Sequence, residues 1–144
     1  MVTKALKEKI NEIKLVVTDI DGVWTDGKFY YTDEGYFLKG FSTYDGMAVE
    51  LLRNANIDTA IITSELSPTV QSRADKLNIN YVFLGEHHKL KRVKYLCNIL
   101  EIELSNIAFI GDDVNDLETL NSVGFSAMPP NSPILDQCNP DYIT

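Results

Sequence analysis

Five short apolar runs alternate with amphipathic stretches along this chain, and that alternation limits the fold more than any other feature. The runs are "KLVVTD" (14–19), "DTAIITS" (58–64), "YVFLG" (81–85), "NIAFIGD" (106–112) and "GFSAM" (124–128), each ending near Gly, Asp, Ser or Pro, as buried strands do. Between them, 45–56, 67–78, 88–102 and 115–124 repeat apolar residues three or four apart. That spacing predicts helices; Ser67 and Pro68 offer an N-cap and first-turn pair, and Gly124 a stop. Strands and helices alternating in this way build βαβ units, and so an α/β fold whose parallel sheet carries helices on both faces. No repeat, linker or low-complexity tract interrupts the 144 residues, which predicts one domain over 1–144 with a sizeable core.

One segment breaks the pattern. "GKFYYTDEGYFLKGF" (27–41) holds two aromatic-rich runs around "TDEG", which predicts a hairpin with Gly35 at the turn position that needs positive φ. Phe29, Tyr30, Tyr31, Tyr36, Phe37 and Phe41 put rings on both faces of such a ribbon, whereas a lone hairpin can bury only one face on its own domain. The other face calls for a neighbour.

Charge and composition exclude several classes of function. A formal net charge of −8 lacks the clustered cations that a nucleic-acid partner requires. No apolar run approaches the roughly 20 residues of a membrane span, and "MVTKALKEKINEIK" has neither the h-region nor the cleavage site of a secretory signal. A cytoplasmic protein with no membrane partner is expected. Cys97 and Cys138 read as a small core hydrophobe and an incidental thiol rather than a disulfide or metal pair. His87 and His88 read as loop histidines, because no Cys or third His has a metal-site spacing; Trp24 and Met47 read as packing residues.

The acidic residues carry the chemistry. Asp19 and Asp21 in "LVVTDIDGVWTDG" leave the end of a buried strand one residue apart, and two such carboxylates repel unless something positive lies between them. Four polar clusters fall at predicted strand ends: Asp19 with Asp21, Thr63 with Ser64, "GEHHK" (85–89), and "GDDVND" (111–116). Ligands collect at that edge of a parallel sheet. Oxygen ligands from Asp19 and Asp112 suit Mg²⁺, and a shielded Asp19 could attack a phosphate ester to form an aspartyl-phosphate. Asp21 could protonate the leaving alcohol and then activate water. The Thr63 hydroxyl and the Lys89 ammonium would stabilise the phosphoryl oxygens.

"DIDGVWTDG", "IITS", "GEHHKL" and "IGDDVND" together resemble the four motifs of the haloacid dehalogenase superfamily of phosphatases, in order, over about residues 12–143. "DGVWTDG" with the aromatic hairpin, "FSTYDG" and "SRADKLNI" is similar to the small capless members that dephosphorylate 3-deoxy-octulosonate 8-phosphate or nine-carbon 2-keto-3-deoxy sugar acid 9-phosphates. The resemblance implies a three-layer Rossmann-like fold, Mg²⁺ as cofactor, Asp19 as nucleophile, and Asp21 as acid/base and backbone-carbonyl metal ligand. It implies Asp112 as the third protein ligand, Thr63 and Lys89 on the phosphate, and Asp113 and Asp116 supporting the metal waters and Lys89. The segments between residues 19 and 63 and between 63 and 89 are filled by the hairpin, two helices and a strand, which leaves no room for a cap domain. A homotetramer in which a neighbour's hairpin covers the substrate is what the resemblance implies instead. Relatives continue past the strand equivalent to "DYIT" with a glycine-rich stretch and an arginine-bearing helix; this chain ends at Thr144.

Substrate choice points to the helix that leaves Thr63. Ser64, Glu65 and Arg73 are the candidate substrate contacts, the last two toward the far end of a sugar bound on this subunit or a neighbouring one: a glutamate can accept from sugar hydroxyls or an amide, and an arginine can pair with the sugar's carboxylate. Glu65 stands where the octulosonate branch commonly carries an arginine, so the resemblance leans to the nine-carbon branch. Two other readings stay open, a related phosphatase of different specificity and a non-catalytic oligomerisation domain like those attached to acylneuraminate cytidylyltransferases. The intact acids favour an enzyme.

Overall fold

A computed structural model describes residues 3–35 and 37–144. The apolar runs form parallel strands β1 (Leu15–Thr18), β4 (Asp58–Ile62), β5 (Tyr81–Phe83), β6 (Ile107–Ile110) and β7 (Phe125–Met128), with β2 (Tyr30–Tyr31) and β3 (Phe37–Leu38) in the hairpin and a short edge strand β8 (Tyr142–Ile143). The sheet order is β5-β4-β1-β6-β7-β8. Alternate side chains sort to the two faces, as a period of two requires. Leu15, Val17, Ala60, Ile62, Ile107 and Phe109 pack against α4 (Lys89–Leu100) and α5 (Leu117–Leu120). Ile20, Ile61 and Trp24 pack against α2 (Thr43–Asn54) and α3 (Pro68–Lys76). The result is three layers. The chain runs outward from β1 through β4 to β5 and then returns to β6 on β1's other side, so the strand order reverses between β1 and β6. Sheets of this kind bind ligands in the crevice at that point.

Four local expectations change. The stretch 115–124 is not one helix: a 3₁₀ turn (Val114–Asp116) leads into the four residues of α5. Gly124 is not a helix stop; a Cβ there would overlap the Ser105 backbone, and its N–H donates to Leu104 O at 2.9 Å. Ser67 holds the N-cap position of α3 with Pro68 following, but its buried hydroxyl makes no capping bond. Met47 is exposed on α2, whereas Trp24 is core. An additional helix, α1 (Lys4–Asn11), is capped by Thr3 and has no buried residue; Lys9 ties it to Asp141 at 2.6 Å.

The hairpin pairs β2 (Tyr30–Tyr31) with β3 (Phe37–Leu38), Tyr31 opposite Phe37. Gly35 has φ +85°, and its N–H closes the turn on Thr32 O at 3.0 Å. Phe37 stacks at 5.3 Å from Phe29 and 5.7 Å from Tyr31, yet Tyr31 is 67% and Leu38 61% exposed. Tyr36 lies outside the described residues. Cys97 and Cys138 are buried and unpaired. Among the described residues no helix is long and apolar enough to cross a membrane.

Candidate active site

Strand ends and the loops that leave them deliver Asp19, Asp21, Thr63, Ser64, Glu65, Asp112 and Asp113 to one crevice. Asp19 follows β1 directly; its N–H donates to Ile110 O at 2.9 Å, which ties it to β6, and its Oδ1 accepts from the Ile20 N–H at 2.7 Å. The chain then turns tightly. Ile20 O accepts N–H bonds from Val23, Trp24 and Thr25, and the Trp24 indole donates to Thr18 Oγ1 at 2.9 Å. Gly22 lies at φ +85° in this turn, and a Cβ there would overlap the Asp112 carboxylate. Only glycine lets the first loop approach Asp112.

Across the crevice, Gly111 leads from β6 to Asp112. A Cβ on Gly111 would fall 2.6 Å from Asp116 Cβ, so this second glycine admits the fully buried Asp116. Asp116 Oδ2 accepts from the Asp112 N–H at 3.0 Å, and its Oδ1 accepts from Lys89 Nζ at 2.6 Å. Lys89, the first residue of α4 and only 2% exposed, also lies 2.9 Å from Asp19 Oδ2. One carboxylate oxygen from each of Asp19, Asp112 and Asp116 falls within 4.8 Å of the others.

This cluster has more negative than positive charge. Burial first, and then the Asp116 charge, lift Asp19 from 3.8 to about 6 against the pull of Lys89. Burial and the charges of Asp19, Asp116 and Asp113 lift Asp112 to about 7. Desolvation opposes the Lys89 ammonium, but Asp19 and Asp116 outweigh it and raise its pKa. Asp116 has both oxygens engaged. Asp112 Oδ1, in contrast, is buried with no partner. An unpartnered carboxylate oxygen beside a second acid fits a hard divalent cation, with Asp112 Oδ1 as the open donor and Asp19, whose oxygens meet the Ile20 N–H and Lys89 Nζ, beside it.

Thr63 ends β4. Its Oγ1 accepts from the Glu65 N–H at 3.3 Å, which leaves its own proton to donate. Asp19, Asp21, Thr63, Ser64, Glu65 and Asp112 line one cleft of about 160 Å³, with Asp113 and Asn115 at its side. Asp113 is exposed and caps the 3₁₀ turn through the Val114 N–H at 2.7 Å. Arg73 is not brought into the cleft. Its guanidinium donates to Ser42 O at 3.0 Å and stacks 5.9 Å from the Phe41 ring, on the side of α2. His87 and His88 line a separate cavity of about 290 Å³.

Three contributors were not anticipated. Asn115 donates to Ser64 Oγ at 3.0 Å, and Phe29 reaches the cleft from the hairpin. Lys39, its side chain wholly buried, binds both Asp21 oxygens at 2.6 and 2.7 Å. The signal for Lys39 was a lone cation in the aromatic run "YFLKGF".

A parallel α/β sheet with acids on the ends of β1 and β6 and a buried lysine opening α4 defines a hydrolase class. The haloacid dehalogenase-like hydrolase family model matches residues 36–124, and the chain belongs to that family. It is 32% identical over 138 residues to the 3-deoxy-D-manno-octulosonate 8-phosphate phosphatase of Haemophilus influenzae, covering 96% of this chain and 77% of that protein. The solved structure of the Moraxella catarrhalis 3-deoxy-D-manno-octulosonate 8-phosphate phosphatase, in complex with magnesium, phosphate and KDO, superposes with a TM-score of 0.88 at 37% identity. It covers 95% of this chain and 79% of that one. The Yersinia pestis phosphatase of the same name gives a TM-score of 0.90 at 32% identity, over 95% of this chain and 74% of that one.

Proposed function

We propose that this chain is a Mg²⁺-dependent phosphatase of 2-keto-3-deoxy sugar acid phosphates, working through an aspartyl-phosphate. The observation that carries the reading is the unpartnered Asp112 Oδ1 in a buried cluster of three carboxylates and one ammonium. Asp19 and Asp112, with the Asp21 backbone carbonyl, would hold Mg²⁺, which offsets the repulsion between the carboxylates and a phosphate dianion when bound.

Asp19 attacks phosphorus, the P–O ester bond breaks, and Asp21 gives its proton to the departing alkoxide. Asp21 then takes a proton from water as that water attacks phosphorus, releasing inorganic phosphate and freeing Asp19. Lys89 and the Thr63 hydroxyl stabilise the equatorial oxygens. Asp116 orients Lys89, and Asp113, at the cleft rim, would support the waters of a bound Mg²⁺.

The relatives' named activity supports a sugar acid phosphate as substrate. Glu65 on the cleft wall favours the nine-carbon 9-phosphates, because a carboxylate accepts from the hydroxyls or amide at the far end of such a sugar. The exposed hairpin rings favour a homotetramer in which that ribbon closes a neighbour's cleft and excludes water. The test is kcat/KM on an eight-carbon 8-phosphate and a nine-carbon 9-phosphate. Wild type should prefer the nine-carbon substrate, and Glu65→Arg should reverse or erase the preference. An eight-carbon preference untouched by Glu65→Arg would remove Glu65 from specificity.

A further inference from the structure

We propose that Lys39 is a positioning residue for Asp21 and the link through which the hairpin holds the acid/base carboxylate over the cleft; the inference rests on Asp21 acting as proposed above. Lys39 directly follows β3. Its Nζ meets both Asp21 oxygens, at 2.6 and 2.7 Å, and lies 4.8 Å from the Phe29 ring centroid and 5.6 Å from that of Phe37. The ammonium is therefore held between two rings of the ribbon and one carboxylate of the β1 loop.

Packing alone does not account for a lysine here. Its side chain is fully buried, and an apolar residue of similar volume would anchor the ribbon at least as well without desolvating a charge. What an apolar residue lacks is a donor that grips both Asp21 oxygens. Asp21 faces the cleft with four other carboxylate-bearing residues, Asp19, Glu65, Asp112 and Asp113, and proton donation leaves it anionic in that company. Lys39 offsets this charge and keeps the carboxylate turned to the leaving-group side, while the rings attract the ammonium from behind. Phe29 both lines the cleft and touches Lys39, so a surface closing on the ribbon acts on the same ring that seats the ammonium.

The experiment uses leaving groups. kcat/KM reports events through departure of the alcohol, and an alkyl phosphate needs a proton there whereas p-nitrophenyl phosphate does not. Lys39→Met keeps the stem beneath the rings and removes the charge. It should lose on the order of 10²-fold in kcat/KM on a sugar acid phosphate but under about threefold on p-nitrophenyl phosphate. Lys39→Gln, which keeps a neutral donor, should show the same selective loss and serves if the methionine variant does not fold. On an Asp21→Asn background, Lys39→Met should add no further loss. Equal losses on the two leaving groups, no loss, or a further loss beyond Asp21→Asn would overturn the role. Wild type without Mg²⁺-dependent turnover on either substrate would instead overturn the phosphatase reading beneath it.

Discussion

The sheet edge and the hairpin face the same cleft but are built on opposite terms. At the edge, Asp19, Lys89 and Asp116 are almost sealed from solvent, and each is held by the backbone of a strand end or a helix start. The hairpin is two strands of two residues each, with Tyr30, Tyr31 and Leu38 more than half exposed and Lys39 as its tie to Asp21. Proton and phosphoryl transfer need groups placed to a fraction of an ångström, which a parallel sheet with packed helices provides. Covering a substrate needs an apolar surface that can meet another one, and a ribbon with little burial of its own provides that.

The sharpest way to break this contrast is at the edge. Lys89→Met leaves Asp19 and Asp116 buried without their cation, so turnover should be abolished and the fold should lose roughly 3–5 kcal/mol in denaturant unfolding. A variant of normal stability would mean that the edge is not built around this ammonium. On the hairpin the effect should fall on assembly and rate. Tyr31→Glu with Phe37→Glu should move the mass measured by light scattering toward monomer and lower kcat/KM by up to about 10²-fold, with circular dichroism unchanged. A wild-type chain that is already a fully active monomer would remove the ribbon from catalysis.

A smaller effect separates the two regions by pH. Without metal, Asp19 titrates at about 6 and Asp112 at about 7, each above the ordinary 3.8. Between those values the folded chain binds more protons than the unfolded one, so these two groups make stability fall as pH rises through the window. In chelator at pH 8, Asp112→Asn should therefore raise Tm by a few degrees, and Mg²⁺ should no longer raise it further. Hairpin substitutions should leave this pH response unchanged. An unaltered response to pH and Mg²⁺ in Asp112→Asn would take Asp112 out of the metal set.

What could be read in the sequence follows the same division. Asp19, Thr63 and Asp112 were legible because each ends an apolar run, and a run's end in a parallel sheet is a known place. Lys89 was legible as the start of a periodic helix. Arg73 was not: periodicity put it in the middle of α3 but gave no sign that its guanidinium would turn toward Ser42 and Phe41 rather than the cleft. Lys39 was missed because a single lysine in an exposed ribbon resembles the charges that guard sheet edges. Only its contact with Asp21, eighteen residues earlier, reveals otherwise. Helix α1 has only a short apolar stripe, Leu6 and Ile10 four apart among charged residues, and buries no residue fully, which hid it among the scattered charges of the N-terminus; Gly124 follows a periodic turn as a helix stop would, but its place is set by the Ser105 backbone against it.

On the proposed mechanism, the sheet edge is an anionic cluster completed by a divalent cation and acting on phosphorus through Asp19. The most direct measurement is phosphate release from eight- and nine-carbon 2-keto-3-deoxy sugar acid phosphates, by wild type and Asp19→Asn, in Mg²⁺, in excess chelator, and after Mg²⁺ is returned. Turnover is expected with Mg²⁺, with its loss in chelator, its recovery on return, and a loss on the order of 10⁴-fold or more in Asp19→Asn whatever the metal. Undiminished release in chelator, or by Asp19→Asn, would contradict it.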